Sequence, residues 1–106
     1  MTLQDFENTL GQSTPPSELS PLLKALWFDA RGDWEHAHHL AQDVNTMGGS
    51  WIHAYLHRKE GDRSNAQYWY HRAGKKMPAY ALEQEWKELA IAFLMDPSLS
   101  DNTTSC

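Results

Sequence analysis

The stretch Trp51–Pro78, WIHAYLHRKEGDRSNAQYWYHRAGKKMP, decides the fold. It holds two segments of helical character separated by Gly61-Asp62. A glycine there ends the first arm, and Asp62 or Ser64 caps the second. Ala66, Trp69, Tyr70 and Ala73 recur at intervals of three or four and give the second arm an inner stripe. Lys75 to Pro78 then turns the chain. The stretch reads as a helical hairpin whose arms meet at Ala54 and Ala66, and it carries three of the six histidines.

Outward from it, the same periodicity continues in both directions. Downstream, Leu82, Trp86, Leu89, Ala90, Phe93 and Leu94 carry a helix from about Ala79 to Met95, which Asp96-Pro97 ends. Residues 96–106 are polar and small and read as a disordered tail. Upstream, Asn45 to Gly49 reads as a loop, with Ser50 capping a helix over 51–60. Trp34, Ala37, Leu40, Ala41 and Val44 mark a helix over 34–44 behind the cap Asp33. Ser17 to Arg31 carries another, in which Ser20-Pro21 forms a cap and first-turn pair and Gly32 is the stop. Residues 1–16 read as an arm and linker: a short helix near Thr2–Leu10, then the breaker run QSTPP. No segment alternates with period two over a useful length, so the expectation is an all-α protein.

The chain also repeats. Gly32-Asp33 matches Gly61-Asp62, Ala37 matches Ala66 and Ala25 matches Ala54, each pair by the same offset. Two helix–turn–helix units in succession suit an α-solenoid. In the second unit Ala54, Ala66, Tyr70, Ala73 and Pro78 stand at the distances of a tetratricopeptide repeat, and the chain resembles that family over about Ser17 to Pro78. His53 and His57 stand where that pattern prefers Leu and Tyr, and the first unit lacks the terminal Pro. The resemblance implies two antiparallel hairpins, 17–44 and 50–78, and a capping helix over 79–95, in a short, right-handed superhelix-like stack. It further implies that the first helix of each pair lines a groove. The block from His53 to Gly74 also resembles small bacterial and fungal proteins to which no activity is attached.

Totals narrow the function. A length of 106 residues and a hydrophobic fraction of 41% suit one domain with a modest core. A net charge of −5 speaks against non-specific binding to nucleic acid or to an anionic membrane. A local basic patch is still allowed, with Arg58, Lys59, Lys75 and Lys76 as its candidates. A single cysteine, Cys106, permits no internal disulfide. The acidic amino terminus is unlike a signal peptide and no apolar run is long enough to span a bilayer, so a cytoplasmic protein is expected.

Two functions follow as expectations. The first is a non-enzymatic scaffold that binds a protein or peptide and needs no cofactor, with Trp51, Tyr55, Arg58 and Lys59 on one face of the 51–60 helix as an aromatic–basic groove. The second is a small divalent-metal protein or a His-dependent enzyme. His53, His57 and Glu60 lie at i, i+4 and i+7 on another face, and imidazoles one turn apart can share a metal or a proton. His36 joins them if the two hairpins bring it across. The blander reading leaves His53 and His57 as hydrogen-bonded interior imidazoles and His36, His39 and Asp43 as a solvated face. Trp51 and Tyr55 then belong to the core. No nucleophile motif or phosphate loop is present. Exposed end faces of a short stack allow a homodimer.

Overall fold

The computed structural model describes residues 1–100. Among them every regular element is helical: α1 Leu3–Asn8, α2 Pro21–Ala30, α3 Trp34–Gln42, α4 Met47–Glu60, α5 Arg63–Arg72 and α6 Leu82–Met95, with single 3-10 turns at Thr9–Gly11 and Pro97–Ser100. The protein is all-α. Cys106 lies outside the described residues.

Local chemistry sets most of the boundaries. Thr2, Ser20, Asp33, Thr46 and Asp62 each cap a helix by accepting a hydrogen bond from a backbone N–H of its first turn. Caps of this kind contribute about 1 kcal/mol each. The turns after α2 and α4 are built alike. Gly32 and Gly61 take φ of 84° and 91°. Asp33 N donates to Phe28 O at 2.9 Å and Asp62 N to His57 O at 3.0 Å. Only glycine adopts that backbone without cost, and the next residue then caps the returning helix.

α2 packs along α3 and α4 along α5, and α3 joins the pairs by packing on α4. Ala25, Ala37, Ala54 and Ala66 are all fully buried. α6 closes the assembly against α2 and α4. There Trp86 donates to Leu26 O at 3.1 Å and stacks on Phe6 with ring centroids 5.7 Å apart. The amino-terminal arm is therefore part of the core. Trp27 Nε1 and Arg31 also hold it, through Thr9 O, Leu10 O and Gln12 O.

Three boundaries differ from the sequence expectation. α4 begins at Met47, capped by Thr46, so Gly48 and Gly49 are helical rather than loop. The reason is contact: a Cβ on Gly49 would lie 1.9 Å from Val44 O, and one on Gly48 would lie 2.4 Å from Leu99 O. α6 begins at Leu82, three residues later than expected, and Lys75 to Ala81 is a non-helical strap. The expected tail contributes structure up to residue 100, where Thr46 Oγ1 donates to Leu99 O at 2.5 Å.

Candidate metal centre

α4 is buried almost all round from Gly48 to His57. It presents different chemistry on two sides, and each side meets a different neighbour.

One side carries Trp51, Tyr55, Arg58 and Lys59. Trp51 and Tyr55 are buried. The structure turns all four toward two carboxylates inside the protein, Asp29 of α2 and Glu85 of α6, which are 1% and 0% exposed. Tyr55 OH donates to Asp29 Oδ2 at 2.7 Å and Lys59 Nζ to Asp29 Oδ1 at 2.8 Å. Glu85 accepts from Trp51 Nε1 at 3.2 Å, from Arg58 Nη1 at 2.8 Å and from Tyr70 OH at 2.6 Å. Burial, reinforced by the acid each one serves, pushes the phenols of Tyr55 and Tyr70 far above their ordinary range, so both act as donors. Buried charges need such partners, because an unpaired one costs several kcal/mol or about that. Of the four residues expected to form an aromatic–basic groove, Trp51 and Tyr55 are buried and Lys59 is exposed, and all four have partners within the chain that tie α2, α4 and α6 together.

The other side carries His53 and His57, with Glu60 one turn on. α3 brings His38 to them. A ligand nitrogen from each of His38, His53 and His57 lies within 4.8 Å of the other two. His38 Nε2 and His53 Nε2 are 2.9 Å apart and share one hydrogen. His57 Nδ1 is 2.5 Å from Glu60 Oε1, so in the neutral ring Nδ1–H donates to the carboxylate and Nε2 is left as an acceptor. Two indoles wall the cluster. Trp34 stacks on His38 at 4.9 Å and Trp69 stacks on His53 at 4.0 Å. Trp34 is itself fixed by donating to Leu56 O at 2.8 Å.

Burial, aided by the neighbouring His38 and His57, lowers the pKa of His53 to about 4. Burial also lowers that of His38, with His57 and His39 acting in the same sense and Glu60 against it. Both imidazoles are thus held toward the neutral, ligating form near pH 7.

The structure brings His53, His57 and Glu60 together and leaves His36 out. His36 sits on the exposed side of α3, stacked on Phe28 at 3.7 Å, with Nδ1 3.6 Å from Asp33. His38, which sequence reasoning passed over, takes its place. A signal was there. His38 is four residues after Trp34 and three before Ala41, so it belongs to the apolar stripe of α3, whereas His36 and His39 point away from it.

Comparison with known proteins finds no family model, no curated protein and no solved structure that matches this chain.

Proposed function

We propose that the protein binds a divalent transition-metal ion through His38, His53 and His57, with Glu60 orienting His57 from behind. The observation that carries this reading is the convergence of three imidazoles from two different helices, one of them backed by a carboxylate. Imidazole donors suit zinc, copper, nickel and iron. A carboxylate on the far nitrogen is the usual companion of a metal-bound imidazole, where it fixes the ring and raises its basicity. Tetrahedral zinc needs ligand nitrogens about 3.3 Å apart, given bonds of about 2.0 Å. The His38–His53 pair at 2.9 Å therefore has to open by only a few tenths of an ångström.

Three protein ligands leave a fourth position for water or another small ligand. The scaffold in this proposal is a pair of tetratricopeptide-like hairpins. α3 belongs to the first and α4 to the second, so the ion bridges them. This reading is favoured over peptide capture because Trp51 and Tyr55 are buried and all four groove residues already bond to Asp29 or Glu85.

Metal analysis and zinc titration of the purified protein test it. The expectation is one ion per chain and a melting temperature that rises with zinc. His38→Ala should lose both and His36→Ala should keep both. Absence of zinc, copper and nickel binding at micromolar concentrations in the wild type would overturn the reading.

A further inference from the structure

A second site lies away from the histidines, on the outer face of α5. There Arg63 and His71 look across at the strap Lys75–Ala81. The strap is pinned at both ends: Lys75 N donates to Tyr70 O at 2.9 Å, and Arg58 Nη2 donates to Tyr80 O. Between strap and helix is a cavity of about 640 Å³, lined by Arg58, Arg63, His71, Lys75, Lys76 and Met77 among others, with no acidic side chain on its wall. That volume falls within the range of small-molecule sites, roughly 300–1,000 Å³.

The charge balance around it is uneven. The chain has nine Lys and Arg against fourteen Asp and Glu, yet four of the nine line this one cavity. Glu85 neutralises Arg58 from inside and holds its guanidinium in place. Lys75 lies over the Trp51 ring at 4.2 Å. Among the described residues neither Arg63 nor Lys76 has an ion-pair partner. Arg63 and Lys76 therefore bring unpaired charge to this cavity, Lys75 adds to it from the same wall while its ammonium rests on Trp51, and no acidic side chain lines the cavity with them. The strap is short and anchored, so it keeps Lys75 and Lys76 close to α5.

We infer that this cavity binds a small organic phosphate. A guanidinium fork together with ammonium groups matches a multiply charged phosphate better than a single carboxylate. Met77, Pro78 and Ala79 on the same wall offer an apolar surface to the organic part. The cavity size selects a small molecule over a polymer. This inference is independent of the metal centre.

The test is an NMR titration of the folded protein with adenosine 5′-diphosphate, and with uncharged adenosine as its counterpart, in EDTA so that no metal bridges the nucleotide to the histidines. The expected result is saturable shifts confined to residues 58–80 with the diphosphate and none with adenosine. The Arg63→Gln, Lys76→Gln variant should bind at least about tenfold more weakly. The Lys24→Gln, Lys87→Gln variant, which removes the same charge elsewhere, should stay within about twofold, because distant surface charges are largely screened. Shifts that never saturate or spread over the surface would overturn the inference. So would equal losses in the two variants, provided both retain the wild-type helical circular dichroism.

Discussion

At the scale of single residues, burial holds two imidazoles of the cluster, His53 and His38, toward the neutral form. His53 is the clearest case, with a pKa of about 4 against an ordinary value of 6.5. It faces His38 and His57, and Glu60 stands behind His57. Between those two pH values the unfolded chain takes up a proton at this position and the folded protein does not. Stability therefore rises with pH across the window and is lost as pH falls from about 6.5 toward 4. His38 adds to the same trend because its pKa is also lowered. Denaturant titrations of the metal-free protein at pH 7 and pH 5 should show this loss, and His53→Gln should shrink it. An unchanged pH dependence in that variant would mean that His53 is protonated in the folded protein. Glu85, which has no exposure, is satisfied instead by donors: Trp51, Arg58 and Tyr70 all donate to its carboxylate.

At the scale of elements, most of the chain was legible because punctuation and periodicity agreed. Gly32-Asp33 and Gly61-Asp62 stop one helix and cap the next within two residues, and the stripes of α2, α3, α5 and α6 repeat at helical spacing. α4 was harder. It is buried on nearly every side, so its polar residues carried no directional signal, and Trp51, Tyr55, Arg58 and Lys59 looked like an outward face. The carboxylates they bond to are 26 residues or more distant in sequence, on α2 and α6, and spacing alone does not report such a pairing. For the same reason Gly48 and Gly49 read as loop. Their role is steric and depends on Leu99 and on Val44. Gly49→Ala should accordingly destabilise the protein by about 1–3 kcal/mol, since the backbone of Val44 has to move. Gly11→Ala, where an added Cβ meets nothing within 4 Å, should change stability by less than about 0.5 kcal/mol. Chemical denaturation of the two variants checks both, and equal effects would remove close approach as the reason for the glycine pair.

At the scale of the whole molecule, the two polar clusters join different parts. The carboxylate cluster ties α2 and α6 to α4, and the imidazole cluster lies between α3 and α4. The α3–α4 seam of the free protein includes the hydrogen bond from Trp34 to Leu56 O, the shared hydrogen of His38 and His53, and the ring contacts of Trp34 and His38 with His57. Such a seam opens locally more easily than the interior does. An ion that ligates His38 from one side and His53 and His57 from the other binds only the closed arrangement, so it stabilises that arrangement by mass action. The gain is about 2.7 kcal/mol when free metal is a hundredfold above its dissociation constant. Hydrogen exchange reads the effect directly. Zinc should slow exchange of α3 amides by up to roughly a hundredfold, the rate equivalent of that free energy, where exchange proceeds by opening of the seam. Amides of α6, whose contacts do not involve the histidines, should change less. In His38→Ala the slowing should vanish from α3, because the variant has lost the α3 ligand and with it the ion. Slowing of α3 that persists in this variant would show that zinc acts without His38 and end the case for a bridge between the hairpins.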